Sequence, residues 1–307
     1  MGNITDRVSK TYNVPEDRLS ETPPAPKSAK IEVTSRCNFK CFFCEHTFRD
    51  EKHADIDPPL LYKILGEMAE AGVEEVGLFW IGESLLVKRL PEYVAHAKSL
   101  GFRNVFVTTN GMLATPKTIE ALFDGGLDSV KFSVSGSNSK NYITVTGVDA
   151  FDKVMENIKY AWKYRGSLKK PGIFASSYYD VNNPAEYEAI GKLISPYVDE
   201  HYPLRLYGSR NVQTNGEDTR IIQMPEEARL RLKEKLPCWS LFTLPHISQE
   251  GFMSACFCDP DQKLYMADLK KVSFMEGWHS DEFRALRRAH LAREVTGTPC
   301  ETCIAYR

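Results

Sequence analysis

The sequence lacks any long apolar run. Its 307 residues contain no stretch near the ~18 apolar residues that a transmembrane helix needs. The first ten residues carry charges at Asp6 and Arg7 and have no apolar segment, which argues against a signal peptide. N-myristoylation is also disfavoured, because its pattern needs Ser or Thr where Asp6 stands. We therefore expect a soluble, cytoplasmic protein with no membrane partner.

An excess of charge of either sign is also absent. The 39 Lys and Arg residues nearly balance the 41 Asp and Glu residues, and the net charge is −2. This balance argues against a nucleic-acid-binding protein driven by bulk charge. The segment Glu282–His290 has the pattern of a basic helix, which we interpret as a solvated face with Phe283 and Leu286 packed inward. A nucleic-acid partner is therefore not expected.

Cysteine is missing between Cys44 and Cys238, and the eight cysteines form two groups on either side of this gap. Disulfides are not expected, because the cytosol keeps thiols reduced. Two groups so far apart in the chain indicate two sites in two modules. The first group is Cys37, Cys41 and Cys44, and the second is Cys238, Cys256, Cys258, Cys300 and Cys303.

Strand and helix patterns alternate between these groups. The preceding segment, residues 1–29, is polar and rich in proline, and we expect an extended arm there. Strands are predicted at Lys30–Thr34, Glu75–Ile81, Asn104–Thr108, Ser129–Val134, Ile173–Ser177 and Pro203–Tyr207. Helices are predicted at Pro58–Ala71, Leu90–Leu100, Pro116–Phe123, Phe151–Tyr164 and Pro184–Ser195.

This alternation indicates an α/β fold with a parallel sheet and helical crossovers. Six strands are too few for a full eight-unit barrel, so an open, partial barrel and a doubly wound sheet both fit. Either architecture places a site at the carboxyl ends of the strands. We assign residues 30–225 to this module. A helix at Glu226–Leu236 then opens a compact, cysteine-bearing module over residues 226–307.

The first cysteine group directly follows the first predicted strand. Three thiolates spaced as Cys37, Cys41 and Cys44 can bind three irons of a [4Fe–4S] cluster and leave the fourth iron open to a substrate. Two alternatives stay open: three half-buried structural cysteines, or a zinc site completed by a residue such as His46.

At this point the sequence resembles the radical S-adenosylmethionine (SAM) enzymes. The resemblance implies a partial (β/α)6 barrel in which the open iron binds the amino and carboxylate groups of SAM. It also implies that one electron, from a reductant such as flavodoxin or ferredoxin, cleaves SAM to methionine and a 5′-deoxyadenosyl radical. That radical takes a hydrogen atom from the substrate.

Further elements of the family follow in order along the barrel. The segment Ile81–Leu86 is similar to the GGEPLL element that binds the SAM amino group in this family, and it keeps Gly82 and Glu83. It departs from that element at Ile81 and at Ser84.

Three more positions carry SAM contacts by the same resemblance. Asn110 stands in the Thr-Thr-Asn-Gly element at the third strand end, and Ser133 stands at the fourth. Phe43 matches the aromatic position beside adenine.

The second cysteine group is similar to the twitch domain, a short form of the SPASM extension. The resemblance implies an auxiliary [4Fe–4S] cluster, and a hairpin around Glu250–Gly251 brings two of its ligands together. A four-thiolate zinc site is the alternative. The implied ligands are Cys238, Cys256, Cys300 and Cys303.

Cys258 is then left over from both clusters. Compact two-cluster enzymes of the family include the butirosin aminocyclitol dehydrogenase and the neomycin epimerase, so a small carbohydrate-like or aminocyclitol-like substrate is expected. A radical epimerase needs a hydrogen-atom donor, and the Cys258 thiol is our candidate catalytic residue. Cys258 as a buried hydrophobe or a cluster ligand stays open. A secondary-alcohol dehydrogenase that passes an electron to the auxiliary cluster, and maturation of a ribosomal peptide, are the alternative functions.

Overall fold

The computed structural model describes residues 4–44, 46, 53–180, 183–205, 236–259 and 262–302. Nine strands of this part of the chain form one sheet. They are β1 (Ser28–Ile31), β2 (Glu75–Gly77), β3 (Asn104–Thr109), β4 (Ser129–Ser133), β5 (Gly172–Tyr179), β6 (Glu200–Arg205), β7 (His246–Ile247), β8 (Phe252–Ser254) and β9 (Tyr265–Asp268). Their order is β6-β5-β4-β3-β2-β1-β7-β8-β9.

Strands β1 to β6 lie in chain order, and each pairs in parallel with the next. The partial barrel expected from the sequence is confirmed. Four of its crossover helices begin with proline in the first turn, where the missing N–H costs nothing. The helices of the barrel are α2 (Pro58–Glu70), α3 (Leu90–Ser99), α4 (Pro116–Asp124), α5 (Ser139–Thr146), α6 (Phe151–Arg165) and α7 (Pro184–Ile194).

Side chains alternate between the two faces of the barrel strands. On β1, Ala29 and Ile31 are fully buried in the apolar core between the sheet and the helices, whereas Lys30 between them is only half-buried. On β4, Phe132 is likewise buried in that core, and Lys131 is half-buried. The interior of the barrel is therefore polar, in contrast to its outer face.

The C-terminal module extends the same sheet. Strand β7 pairs in parallel with β1, and the antiparallel β7–β8 pair confirms the hairpin expected around Glu250–Gly251. Gly251 has φ +89°, a left-handed conformation that glycine adopts without strain. The described part of the module adds three α-helices, namely α8 (Ser240–Thr243), α9 (Phe274–Trp278) and α10 (Asp281–Leu291).

Helix α10 contains the basic segment, and its interpretation as a solvated face is wrong for two residues. Arg287 is fully buried and His290 nearly so. The Arg287 guanidinium donates to the carbonyl oxygens of Leu241 and Trp278, and its carbon lies 4.1 Å from the centre of the Trp278 ring. Arg288 pairs with Glu21. These side chains make contacts within the protein, so the helix packs against the rest of the fold.

The extended arm expected over residues 1–29 is wrong at its start, because Ile4–Tyr12 forms helix α1. Contacts beyond its own sequence hold this helix: the Ile4 amide donates to the Glu200 carboxylate, and Arg7 pairs with Glu75. Both acidic residues stand at the amino ends of barrel strands. Helix α1 therefore covers that end of the barrel.

The rest of the N-terminal segment is largely irregular and joins the two modules. Arg18 donates to the carbonyl oxygen of Phe242, and the Trp278 indole donates to that of Pro24. The helix predicted at Glu226–Leu236 lies outside the described residues except for Leu236. In the described part of the chain, every helix is too short or too polar to span a bilayer.

Candidate active site

The first cysteine loop leaves the carboxyl end of β1, at the open end of the barrel. Cys37, Cys41 and Cys44 are all half-buried, and the Cys44 amide donates to the Cys41 carbonyl at 3.0 Å. Burial raises the pKa of the Cys41 thiol, and the thiols of Cys44 and Cys37 raise it further. The three sulfurs thus share one local environment, as ligands of one cluster must. Iron binding at this loop has to displace protons.

The zinc alternative for this loop gains no support from the geometry, whereas half-buried cysteines fit a structural role as well as a cluster. Within the described ranges, no three His, Cys, Asp or Glu side chains converge as ligands of a single metal ion do. The His46 ring nitrogen Nε2 donates to the Ser35 carbonyl at 2.9 Å, and the ring stacks on His53. His46 is thus engaged beside the loop.

Gly82 places the following loop directly against the cysteine loop. A Cβ atom on Gly82 would lie 2.0 Å from the Thr34 carbonyl oxygen and 2.9 Å from that of Arg36. The next residue, Glu83, donates its amide to the same Arg36 carbonyl at 2.8 Å. Only glycine permits this approach, because the backbone atoms of Thr34 and Arg36 leave no room for a side chain.

Replacing Gly82 by Ala should therefore separate the two loops. We expect Gly82→Ala to lose about 1–3 kcal/mol of unfolding free energy from overpacking, and to weaken SAM binding with it. Gly66→Ala is the matched control, since no atom lies within 4 Å of its Cβ position on helix α2, and Ala favours a helix interior by about 1 kcal/mol. Thermal unfolding and SAM titration of both variants check this; equal stability of the two would contradict the close approach.

The Glu83 carboxylate connects two backbone segments, its own loop after β2 and the end of β3. It is 3% exposed and accepts hydrogen bonds from the Leu85 amide at 2.9 Å, the Thr109 hydroxyl at 2.8 Å and the Asn110 amide at 2.7 Å. Burial raises the pKa of Glu83, and these three bonds act in the opposite direction. The role expected from the sequence, a contact to the SAM ammonium group, stays a prediction. The structure adds that Glu83 also positions the loop ends of β2 and β3.

Removal of this carboxylate should weaken SAM binding without loss of iron. A charge-assisted bond is worth roughly 1.5–3 kcal/mol, so Glu83→Ala should raise the dissociation constant of SAM about tenfold or more. The matched control is Glu92→Ala, which removes an exposed acidic residue paired with Arg89. Calorimetric titration of SAM into the cluster-loaded variants measures both effects. Unchanged affinity in Glu83→Ala would place that residue outside the SAM site.

The other predicted SAM contacts lie at the same end of the barrel. The Asn110 amide group donates to Asn38 on the cysteine loop at 2.8 Å. Phe43 stacks against Tyr178, with ring centres 6.0 Å apart. Ser133 is half-buried on the inward face of β4. The structure thus brings these positions to one end of the barrel, and their contacts with SAM stay predictions.

The second cysteine group lies in the C-terminal module. Cys238, Cys256 and Cys300 are half-buried, and Cys303 lies outside the described residues. The Cys238 amide donates to His290 Nδ1 at 3.1 Å, and burial lowers the pKa of His290 to about 4. This imidazole is therefore neutral at pH 7, and it fixes the backbone beside the first ligand of the predicted auxiliary cluster.

Cys258 lies where the two modules meet. The backbone bends at Phe257, and the Cys258 amide lies 3.3 Å from the Cys256 sulfur. The Trp80 indole from the barrel donates to the Phe257 carbonyl at 3.0 Å. The Cys258 thiol acts electrostatically on the amine of Lys30 on β1. The residue is thus near both the predicted cluster ligand and the barrel interior.

Four residues of this region were not singled out from the sequence: Lys30, Lys131, Trp80 and His246. Each lysine interrupts an apolar strand, which is the signal that could have marked it as inward-facing. His246 pairs with Lys30 across the β1–β7 ladder, a contact between distant parts of the chain. No sequence pattern near either residue indicates such a pairing.

Comparison with known proteins agrees with this arrangement. The model of the radical SAM superfamily matches residues 31–168, and that of an iron–sulfur cluster-binding domain, SPASM, matches residues 238–304. The chain therefore contains a radical SAM domain followed by a C-terminal SPASM domain. Its cofactors are S-adenosylmethionine and [4Fe–4S] clusters.

Sequence relatives match part of the chain. A probable GTP 3′,8-cyclase of Sulfurisphaera tokodaii is 34% identical over 134 residues, which are 44% of this chain and 42% of that protein. An uncharacterized protein of Methanocaldococcus jannaschii is 32% identical over 171 residues, 55% of this chain and 54% of that protein. The chain thus spans about half the length of the curated relatives it matches.

Solved structures share the fold over more of the chain. Streptococcus suis SuiB bound to S-adenosylmethionine has a TM-score of 0.71 at 15% identity, covering 92% of this chain and 72% of that one. BtrN in complex with AdoMet and 2-DOIA has a TM-score of 0.53 at 17% identity, covering 86% of each chain. At these identities the likeness shows the fold alone.

Proposed function

We propose that this radical SAM enzyme inverts a carbon centre of a small, polar, carbohydrate-like substrate. Cys258 returns the hydrogen atom in this reaction. The observation that carries the proposal is the place of Cys258 between the modules. Its neighbour Phe257 accepts a hydrogen bond from Trp80 of the barrel, and its own amide lies 3.3 Å from the Cys256 sulfur. A thiol at that place can reach a substrate held between the two domains.

The cysteine groups would hold the cofactors. Cys37, Cys41 and Cys44 would bind the SAM-binding cluster, and the loops at Gly82, Glu83 and Asn110 would surround SAM. SAM supplies, when bound and reduced, a 5′-deoxyadenosyl radical that removes a hydrogen atom from a substrate C–H bond. The auxiliary cluster would be held by Cys238, Cys256, Cys300 and Cys303.

The thiol completes the reaction by hydrogen-atom transfer. Removal of one hydrogen atom leaves a carbon radical, and the Cys258 S–H bond breaks as a new C–H bond forms on the opposite face. The substrate gains no net electrons, since it loses one hydrogen atom and receives another. The resulting sulfur radical needs one electron and one proton, which a reductant such as flavodoxin or ferredoxin and the solvent supply.

Turnover in heavy water tests this proposal. A thiol exchanges its proton with solvent, so the product should carry one deuterium at the inverted carbon. Mass spectrometry and NMR of the product measure it. A product two hydrogens lighter than the substrate, with no deuterium, would indicate the secondary-alcohol dehydrogenase instead, and a modified peptide would indicate peptide maturation.

A further inference from the structure

The barrel interior contains two lysines that the proposed reaction does not use. Lys30 on β1 and Lys131 on β4 occupy inward positions, each next to a residue buried on the outer face of the sheet. They are close enough for the charge of Lys131 to act on Lys30.

Aromatic rings hold both side chains inside the barrel. The Lys30 ammonium lies 5.2 Å from the centre of the Phe79 ring, and that of Lys131 lies 5.5 Å from the centre of the Tyr202 ring. A cation over a ring face is attracted by the ring quadrupole, more strongly when water is excluded. The rings therefore orient the two ammonium groups.

The acidic residues along the barrel strands are bound elsewhere. Glu32 accepts from the amides of Ile81 and Gly82, Glu75 pairs with Arg7, and Glu200 accepts from the Ile4 amide. Across the described residues, the side-chain ammonium groups of Lys30 and Lys131 have neither an ion pair nor a hydrogen bond. Among the groups that act on the Lys30 amine, the Cys258 thiol favours its charged form. In the described part of the chain, neither lysine has a carboxylate partner.

Two lysine side chains close together inside the barrel destabilise the protein when no anion is bound. Burial lowers the pKa of Lys30 to about 7, and Lys131 pushes it in the same direction. Across the β1–β7 ladder, burial and Lys30 lower the pKa of His246, which is therefore neutral and brings no negative charge. An ammonium group held away from water without a counter-charge is costly, and an anion placed between the two lysines would lower that cost through charge-assisted bonds.

We propose, resting on the function proposed above, that the substrate carries an oxyacid group held between the ammonium groups of Lys30 and Lys131. A carboxylate and a phosphate share the required chemistry. An acid-bearing carbohydrate such as a uronate or a sugar phosphate meets it. An aminocyclitol does not, because its amines are cationic and would be repelled.

Trace acetylation of amines tests the site in the cluster-loaded protein under anaerobic conditions. Only the neutral amine reacts, so an anion that raises the pKa of Lys30 by one unit should slow its labelling at pH 7 about fivefold. Phosphate and acetate are compared with chloride at equal ionic strength, and peptide mass spectrometry measures the acetylated fraction of each lysine. Stronger protection by phosphate indicates a phosphate-bearing substrate, and stronger protection by acetate a carboxylate.

Lys159 is the internal control. It is exposed on helix α6 and lies 5.5 Å from the Tyr197 ring, so it has the same kind of aromatic contact outside the barrel. Phosphate and acetate should leave its labelling unchanged. In Lys131→Met, protection of Lys30 should be lost, whereas Lys159→Met should retain it; equal iron content in both variants shows that they are folded.

Three results would overturn the proposal. The first is that phosphate and acetate protect Lys30 no more than chloride does. The second is that they protect Lys159 as strongly as Lys30. The third is that SAM alone, in chloride, protects Lys30 as strongly as phosphate does. The last result would mean that the cofactor supplies the anion. The labelling needs no turnover, so intact protection in a protein that fails to cleave SAM would contradict the proposed function and leave the anion site standing.

Discussion

Changing Cys37, Cys41 and Cys44 together to Ala should abolish SAM cleavage and remove about half of the iron. The reason is that these thiolates are the proposed ligands of the SAM-binding cluster, whereas the proposed auxiliary ligands lie in the other module. Iron analysis and the release of 5′-deoxyadenosine under dithionite measure the two effects.

The matched control is Cys238→Ala with Cys256→Ala, which should remove the other half of the iron. Residual iron in this control shows that the two sites assemble independently. Release of 5′-deoxyadenosine by the triple variant would show that the catalytic cluster is held elsewhere.

Cys258→Ala should bind both clusters and cleave SAM, yet fail to form the inverted product. The thiol would be the source of the second hydrogen atom, and its loss leaves the carbon radical to take another course, including oxidation. Product analysis in heavy water measures the effect, with the loss of solvent deuterium from the inverted carbon as its signature.

Cys258→Ser is the matched control. It keeps the shape of the side chain, but a hydroxyl O–H bond is too strong to give its hydrogen atom to a carbon radical, so this variant should fail in the same way. Normal turnover of either variant would make Cys258 a bystander, and loss of the auxiliary iron would make it a ligand. In both cases the dehydrogenase becomes the better proposal.

The barrel was predictable because local signals and tertiary structure agree there. Helix α4 has Thr115 as its N-cap and Pro116 in its first turn, and both were legible in the sequence. The six parallel strands follow from repeated strand and helix patterns of ordinary length. The first cysteine group directly follows the first predicted strand, and the structure places this loop at the carboxyl end of β1.

Helix α5 was missed because its composition favours a strand. Its residues include Ile143, Thr144 and Val145, which are β-branched. The Asn138 side chain caps its first turn, and Gly147 ends it in the left-handed conformation. Its last turn also accepts hydrogen bonds from the amides of the cysteine loop, so tertiary contacts outweigh propensity.

The further parts of the candidate site depend on contacts between distant segments. Helix α1 is polar and is held by Glu75 and Glu200, which no local pattern connects to it. The pairing of Lys30 with His246 joins residues more than two hundred positions apart. Whether a strand lysine faces solvent or the barrel interior is decided by strand order, which the sequence alone does not show.

The release of 5′-deoxyadenosine by anaerobically reconstituted protein is the most direct measurement of the proposed chemistry. With SAM and dithionite, a brown protein holding about eight irons per chain should form 5′-deoxyadenosine. The triple cysteine variant should form none. A fully loaded protein that leaves SAM intact, or a colourless protein that holds zinc, would contradict a radical SAM activity for this chain.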